Sequence, residues 1–171
     1  EVTISTGLLA STKFIRDGSE LNQTQSSIRI AKAPKLKGSI LYAEDNEVNR
    51  RLIELLVRKT GANLKMVVNG AEALKAASEE SFDLVLMDIQ MPVMDGRDAT
   101  EAIRKSGNTV PIIALTANIM AEDLREYRDA GCNDCLAKPV DKKRFYATLA
   151  NYLDEVDEEV QTESLPTFSG T

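Results

Sequence analysis

The sequence predicts an α/β protein in which helices cover both faces of a parallel sheet of five strands. Three observations support this class. Five short apolar runs alternate with five segments whose apolar residues recur at helical spacing. The runs are apolar on both faces, which is typical of strands buried between two layers of helices. Capping residues and glycines stand where the helices should begin and end.

The strands are identified as short apolar runs bounded by polar residues or turn residues. In chain order they are expected at residues 40–43, 63–68, 83–87, 111–115 and 134–137. The third run leads directly into Asp88, and a loop that contains Pro92 and Gly96 then breaks the regular structure. The sheet should therefore present Asp88 at the carboxyl end of its third strand.

The helices are expected at about residues 47–60, 70–80, 95–105, 118–130 and 141–153. Asn46 and Asn69 can cap the first two helices, and Gly61 and Gly131 would end the first and the fourth. Apolar residues recur at helical spacing in three of these helices. They are Val48, Leu52, Leu55 and Leu56 in the first helix, Ala99, Ala102 and Ile103 in the third, and Phe145, Leu149 and Tyr152 in the fifth.

The distribution of charge predicts one folded domain between two polar ends. The leader, residues 1–38, holds six basic and three acidic side chains and reads as a linker or as the end of a preceding domain, with a short strand possible at 1–6. The regular pattern covers residues 39–153. Residues 154–171 hold six acids and no base, and we expect an acidic tail or linker there.

Composition excludes several functions. The formal charge of −6 gives no support for nucleic-acid binding by this segment. No apolar run approaches the roughly 20 residues of a membrane span, so we expect a cytoplasmic segment without membrane contact. The chain contains no histidine, which removes histidine-based triads and most zinc sites. If phosphate passes through a histidine, that histidine belongs to another domain or protein.

Two features of the sequence are assigned no function. Cys132 and Cys135 form a C-x-x-C pair, but the chain lacks the further ligands of a zinc site, and the pair follows a helix instead of opening one. We expect two reduced thiols, with Cys135 buried. The cations of the first helix predict a solvated face, with docking of a kinase's histidine-bearing helices as the functional alternative. They are Arg50, Arg51, Arg58 and Lys59.

Polar side chains follow four of the five strands. They are Glu44, Asp45, Asp88, Thr116 and Lys138. Because parallel strands end at the same edge of a sheet, these groups should share one crevice. Three carboxylates there would repel one another, and a hard divalent cation such as Mg²⁺ (or Mn²⁺) would relieve the repulsion.

This set of residues fits phosphoryl transfer to an aspartate. A carboxylate can act as the nucleophile and form an acyl phosphate. A bound cation and Lys138 would neutralise charge on the transferred group. The alternatives are a structural cluster of ion pairs and, for Asp88 alone, a helix cap or a solvated loop acid.

Four ordered motifs resemble those of response-regulator receiver domains. They lie at residues 44–46, 87–96, 115–117 and 138–139. The resemblance covers about residues 39–153 and is closest to the receivers fused to hybrid sensor histidine kinases. It implies a flavodoxin-like (βα)5 three-layer sandwich with strand order 2-1-3-4-5.

The resemblance also implies a role for each site residue. Asp88 would be the phosphoacceptor, Thr116 would move its hydroxyl toward the phosphoryl group, and Lys138 would pair with that group. Receivers usually have a cis peptide bond at the position of residues 138–139. The implied metal ligands are Asp45, Asp88, the backbone carbonyl of Gln90 and, through a water, Glu44.

One position departs from the family pattern. Receivers often carry an aromatic residue three positions before the lysine, where this chain has Cys135. An aromatic switch at this position is therefore not expected, and shifts of loops and of the fourth helix would have to carry the signal. The phosphoryl donor or acceptor would be a histidine kinase phosphotransfer domain or a histidine phosphotransfer protein. A homodimer could form through the fourth helix, fifth strand and fifth helix.

The resemblance predicts a domain that catalyses only its own phosphorylation and dephosphorylation, within a parent that is a hybrid histidine kinase. Two other functions remain open. The first is an interaction module that works without phosphorylation. The second is a magnesium-dependent aspartyl phosphohydrolase of the haloacid dehalogenase type, although such enzymes have a second aspartate where this chain has Gln90.

Overall fold

The computed structural model describes residues 32–156. In chain order its strands are β1 (Leu36–Lys37), β2 (Ser39–Ala43), β3 (Asn63–Val67), β4 (Leu84–Asp88), β5 (Ile112–Thr116), β6 (Asp134–Ala137) and β7 (Asp154–Glu155). Strands β2 to β6 form a parallel sheet in the order β3-β2-β4-β5-β6. When only the five strands of this sheet are numbered, from the first along the chain, the order becomes 2-1-3-4-5. The predicted topology is therefore confirmed.

The helices are α1 (Glu47–Arg58), α2 (Gly70–Glu79), α3 (Gly96–Lys105), α4 (Ala121–Ala130) and α5 (Lys142–Tyr152). The side chains of Asn46 and Asn69 accept backbone N–H groups at the starts of α1 and α2, as predicted. Helix α4 begins three residues later than expected, and Met120 at its N-cap makes no side-chain hydrogen bond. The left-handed backbone of Gly131, with φ +108°, ends α4.

Two apolar clusters lie on opposite faces of the sheet, because successive strand residues point to opposite sides. Ile40 and Tyr42 belong to the cluster that packs against α1 and α5. Leu41 and Ala43 belong to the cluster that packs against α2, α3 and α4. The described part of the chain, residues 32–156, is therefore a three-layer sandwich, as its class requires.

The buried face of α1 differs from the spacing noted in the sequence. Ile53 and Val57 pack into the core together with Leu56. The side chains of Val48, Leu52 and Leu55 are instead 77%, 43% and 43% exposed. These three residues are called the α1 apolar patch below. Periodicity located the helix but did not show which of two apolar stripes faces the sheet.

The expectation for the cysteines was wrong in one respect. Cys132 is the buried thiol, and Cys135 is only half-buried. Cys135 lies on β6, which is an edge strand of the sheet, so one side of its surroundings is not covered by a neighbouring strand. Cys132 lies in the preceding turn and packs with the core cluster on the α2–α4 side. Both thiols are free.

The ends of the described segment pair with each other. Strand β1 runs antiparallel to β7, with Leu36 opposite Glu155 and Lys37 opposite Asp154. Leu36 is only 2% exposed and belongs to the core. Regular structure therefore reaches slightly beyond residues 39–153. The division into leader, domain and tail stays a prediction, because residues 1–31 and 157–171 lie outside the described part.

None of the helices in residues 32–156 is long and apolar enough to cross a membrane. The strand considered at residues 1–6 and most of the acidic tail lie outside these residues. The peptide bond between Lys138 and Pro139 is cis, as the resemblance to receivers led us to expect.

Candidate functional site

The predicted site residues lie at the carboxyl edge of the sheet. Glu44 and Asp45 follow β2, Asp88 ends β4, Thr116 ends β5 and Lys138 follows β6. The strands are parallel, so their ends meet at this edge. The backbone N–H of Lys138 donates to the carbonyl of Thr116 at 2.8 Å, which joins the last two positions.

Glu44 is the most enclosed acid of the site, with 1% of its surface exposed. One carboxylate oxygen accepts from Lys138 Nζ at 2.7 Å and from the Tyr42 hydroxyl at 3.1 Å. The other accepts from the backbone N–H of Asn46 at 3.2 Å and from the Asn49 amide at 3.1 Å. These four donors use the whole accepting capacity of a carboxylate.

Asp88 is 3% exposed and shares the cation of Lys138. Its Oδ2 lies 2.9 Å from Lys138 Nζ, and its Oδ1 accepts the backbone N–H of Gln90 at 3.1 Å. Lys138 thus bridges Asp88 and Glu44, two acids that come from different strands. Gln90 contributes its backbone to the site while its side chain is exposed.

Asp45 differs from its neighbours because its side chain is exposed. Carboxylate oxygens of Glu44, Asp45 and Asp88 nevertheless lie within 4.8 Å of one another. Arg50 on α1 donates to the backbone carbonyls of Glu44 and Asp45 at 2.8 and 2.7 Å. It thereby holds the end of β2 in place beside the cluster.

Three ionisable groups of the site differ in the direction and cause of their pKa shifts. Burial raises the pKa of Asp88 to about 6; the Lys138 hydrogen bond opposes this and the charge of Glu44 adds to it. Burial also disfavours ionised Glu44, but hydrogen bonds from Lys138 and Asn49 hold its pKa below the usual value. The pKa of Lys138 is raised despite burial, because it bonds both acids. The site therefore favours the ionised form of Glu44 and disfavours the ionised form of Asp88.

The hydroxyl of Thr116 bonds away from the acids. It donates to the carbonyl of Asn118 at 3.1 Å and accepts the Asn118 N–H at the same distance. The hydroxyl of Tyr127, from α4, lies 3.0 Å from it. Thr116 is at the predicted place in the fold, but its side chain is engaged with the loop and helix that follow β5.

Four residues of the site's surroundings were not among the predicted site residues: Tyr42, Asn49, Arg50 and Tyr127. Arg50 had been grouped with a solvated face, yet it is half-buried and binds two carbonyls. Tyr42 lies two residues before Glu44, on the same side of the strand, which is a signal that the sequence contained. No sequence pattern joined Tyr127 to Thr116.

Two glycines allow the loop after β4 to pack closely. A Cβ on Gly96 would lie 2.0 Å from the carbonyl oxygen of Asp88. A Cβ on Gly70 would lie 2.6 Å from the carbonyl oxygen of Met94. Gly96 donates its N–H to the carbonyl of Ile89 at 2.9 Å. The start of α3 therefore touches the backbone of Asp88 directly, which only glycine permits at this distance.

The residues of the cluster fit a hard divalent cation. Three carboxylates with a single ammonium group leave the cluster with excess negative charge. Oxygen donors of this kind suit Mg²⁺. Glu44 already accepts four hydrogen bonds, so it fits a contact through a water better than a direct bond. Asp45 and Asp88 are the better direct ligands.

The fold and site together define a class: an α/β protein with strand order 2-1-3-4-5, and an acidic cluster with one lysine at the carboxyl edge of its sheet. The profile of the family described as "Response regulator receiver domain" matches residues 40–150. The match covers more than half of the chain. This protein belongs to the response-regulator receiver family of two-component signalling.

The relatives include sensor histidine kinases. The sensor histidine kinase GacS of Pseudomonas protegens is 42% identical over 135 residues, which are 76% of this chain and 14% of that protein. The chain thus spans about a seventh of the length of this curated relative. The similarity shows a receiver domain, and it leaves the activity of any larger parent to proposal.

Solved receiver domains share the fold. One is the receiver of sensor histidine kinase PA1611 from Pseudomonas aeruginosa, which was solved with a magnesium ion in its active-site cleft. Its sequence is 40% identical and its TM-score is 0.63. The match covers 68% of this chain and 97% of the PA1611 receiver. Another is the receiver of Ssk1 from Saccharomyces cerevisiae in complex with the histidine phosphotransfer protein Ypd1; it is 31% identical with a TM-score of 0.65, covering 70% and 89%.

Proposed function

We propose that Asp88 accepts a phosphoryl group from a phosphohistidine of another domain or protein, and that the phosphorylated domain relays or reports this state through its conformation. The observation that carries the proposal is the position of Lys138. Its Nζ lies 2.9 Å from Asp88 and 2.7 Å from Glu44, at the sheet edge where Asp45 completes the acidic cluster.

In the proposed reaction a carboxylate oxygen of Asp88 forms a bond to phosphorus. The phosphorus–nitrogen bond of the phosphohistidine breaks, and the electron pair stays on the imidazole nitrogen. Lys138 stabilises negative charge on the transferred group, and the Thr116 hydroxyl donates to one of its oxygens.

Mg²⁺ (or Mn²⁺) bound at this site would neutralise charge on the phosphoryl oxygens. The residues that would hold it are Asp45, Asp88 and the carbonyl of Gln90, with Glu44 acting through a water. The magnesium ion in the PA1611 receiver supports this assignment. The present structure contributes the excess negative charge of the cluster and the exposure of Asp45, which leaves it accessible.

The partner that brings the phosphohistidine should dock on the α1 apolar patch. Val48, Leu52 and Leu55 form an exposed apolar surface on α1, the helix that begins beside Glu44 and Asp45. A helix bundle with an apolar surface around its histidine would complement this patch. The complex of Ypd1 with the Ssk1 receiver supports a histidine phosphotransfer partner. A histidine kinase phosphotransfer domain is the alternative donor.

The parent protein is proposed to be a hybrid sensor histidine kinase, supported by the GacS and PA1611 relatives. We also propose that this segment works in the cytoplasm, which fits its two free thiols. A homodimer through α4, β6 and α5 stays a prediction. Sedimentation of the domain with and without a phosphodonor would test it.

The test is to incubate the chain with acetyl phosphate and Mg²⁺ and to weigh the intact protein. We expect one added phosphoryl group on the wild type and none on Asp88→Asn. Asp129→Asn, an exposed acid on α4, should load as the wild type does. No adduct on the wild type would favour an interaction module that works without phosphorylation. Turnover of phosphate esters would favour a phosphohydrolase.

A further inference from the structure

Tyr127 is an aromatic residue of α4 that reaches the site through Thr116. Its side chain is buried, with 8% exposed, and its hydroxyl lies 3.0 Å from Thr116 Oγ1. Thr116 also exchanges two hydrogen bonds with the backbone of Asn118. A threonine hydroxyl has one proton and two lone pairs. With its proton given to Asn118, its full capacity is used when Tyr127 acts as the donor.

We propose that Tyr127 is a positioning residue: it holds the Thr116 hydroxyl away from Asp88 until Asp88 is phosphorylated, and the loss of this bond displaces α4. The inference rests on the proposed function of Asp88. A phosphoryl oxygen on Asp88 requires the single proton of Thr116, so the bond to the Asn118 carbonyl must break. Turning the hydroxyl toward Asp88 also removes the partner of Tyr127.

The consequence falls on α4 because Tyr127 is buried. A buried hydroxyl that has lost its partner is unfavourable, so Tyr127 must find a new one. Because Tyr127 belongs to α4, a displacement of its ring either shifts the helix or rotates the Tyr127 side chain relative to the helix. The N-terminus of α4 is weakly held against such a shift, because Met120 at the cap makes no side-chain hydrogen bond.

A pocket beside Tyr127 provides room for this movement. It measures about 210 Å³ and is lined by Leu124 and Tyr127 of α4, by Cys132, and by Cys135 of β6. Cys135 is small and stands where receivers often carry an aromatic side chain. In this protein the aromatic residue beside Thr116 is Tyr127 of α4. The small side chain of Cys135 leaves the β6 side of the pocket open.

The matched variants are Tyr127→Phe and Tyr146→Phe. Both remove one hydroxyl from a buried ring, but the hydroxyl of Tyr146 donates to the backbone carbonyl of Leu56, away from Thr116. With acetyl phosphate and Mg²⁺, Tyr127→Phe should load about threefold to tenfold faster than the wild type, because Thr116 is no longer held by this bond. Tyr146→Phe should load at the wild-type rate.

A second readout follows α4 itself. In the wild type, phosphorylation should shift the backbone amide resonances of residues 121–130. In Tyr127→Phe these shifts should be smaller, although Asp88 is loaded. In a Thr116→Val background, Tyr127→Phe should change neither the loading rate nor the α4 resonances, because the hydroxyl through which it acts is absent.

Three results would overturn the inference. The first is a Tyr127→Phe variant that matches the wild type in loading and in α4 shifts while the wild type loads. The second is an equal effect of Tyr127→Phe with and without the Thr116 hydroxyl. The third needs no variant: the ¹³Cζ resonance of Tyr127 in the wild type should move on phosphorylation, and its constancy contradicts the proposal. Absence of any wild-type adduct would refute the proposed function itself, and this inference with it.

Discussion

An unfolded chain would leave the carboxyl group of Asp88 in water, whereas the fold buries it beside Glu44 and Lys138. Burial raises its pKa from 3.8 to about 6. The ionised form of Glu44 is stabilised more effectively than that of Asp88, since Glu44 accepts hydrogen bonds from Tyr42, Asn46 and Asn49 as well as from Lys138. The nucleophile of the proposed reaction is therefore the less satisfied acid of the pair, which fits a group that has to react.

This difference predicts how stability depends on pH without divalent cations. As pH rises above about 4, the unfolded state loses the Asp88 proton before the folded state does, so the wild type loses stability. The free energy of unfolding of Asp88→Asn minus that of the wild type should therefore increase by about 1–3 kcal/mol from pH 4 to pH 7. Urea unfolding in EDTA measures this. Asp129→Asn serves as the control, and a constant difference across the interval would contradict the assignment.

Val93 is a second residue whose surroundings are informative. It lies in the loop after β4 with φ +72°, a left-handed conformation that a β-branched residue adopts at a cost. Its side chain is 87% exposed, so packing gives little compensation.

Asparagine tolerates this conformation better. Val93→Asn should therefore raise the free energy of unfolding by about 0.5–1 kcal/mol. Thermal or urea unfolding measures the change. Val48→Asn makes the same substitution at an exposed position inside α1 and should not stabilise the protein. A loss of stability in Val93→Asn would show that the side chain makes a contribution that its exposure hides.

At the scale of elements, the site depends on how closely α3 approaches the end of β4. Gly96 begins α3, and its backbone touches that of Asp88 without any intervening atom. The glycines that follow α3 and α4 differ from Gly96: Gly107 has open space around the position of a Cβ, and Gly131 packs against Arg104. Glycine therefore serves close packing at the start of α3 and backbone conformation after its end.

The two glycines that flank α3 give a matched pair of substitutions. Gly96→Ala should reduce the free energy of unfolding by about 3 kcal/mol and slow phosphorylation, because its methyl group displaces the backbone of Asp88. Gly107→Ala should cost only about 1 kcal/mol, for its φ of +85°, and leave the loading rate unchanged. Unfolding curves and intact mass provide both readouts. Equal effects of the two variants would contradict the close-contact argument.

At the scale of the whole molecule, the ends of β2, β4 and β6 bring charged side chains to one edge of the sheet, and β5 adds Thr116. No single element contains the site. A cation that binds only the folded arrangement of Glu44, Asp45 and Asp88 should stabilise the entire domain by mass action. The pairing of β1 with β7 joins the two ends of the described segment, so this stabilisation should extend across one cooperative unit.

Magnesium should therefore raise the melting temperature of the wild type in a concentration-dependent way. Asp45→Asn should remove most of this rise, since Asp45 is the exposed and accessible ligand. Asp129→Asn should retain it. Calorimetry at several Mg²⁺ concentrations is the measurement, and an equal response of the wild type and Asp45→Asn would exclude Asp45 as a ligand.

The sequence by itself determined the features that depend on local pattern. Alternating apolar runs and helical spacing predicted the class, and the resemblance to receiver domains implied the strand order. Asn46 and Asn69 were recognised as caps because capping depends on near neighbours. The five polar groups at the strand ends were identified in the same way, since the parallel direction of the strands places their ends together. The predicted burial of Cys135 was wrong, and the apolar spacing of α1 did not indicate its buried face, because spacing does not show which stripe or thiol the sheet covers.

The tertiary structure alone decided the contacts between elements that are distant in sequence. The bond between Tyr127 and Thr116, the approach of Gly96 to Asp88 and the choice of Glu44 as the better-satisfied acid all depend on where packed side chains come to rest. These positions result from the simultaneous packing of many groups, and no periodicity or spacing encodes them. For that reason the sequence identified Asp88 as the candidate nucleophile, and the structure showed which groups surround its carboxylate.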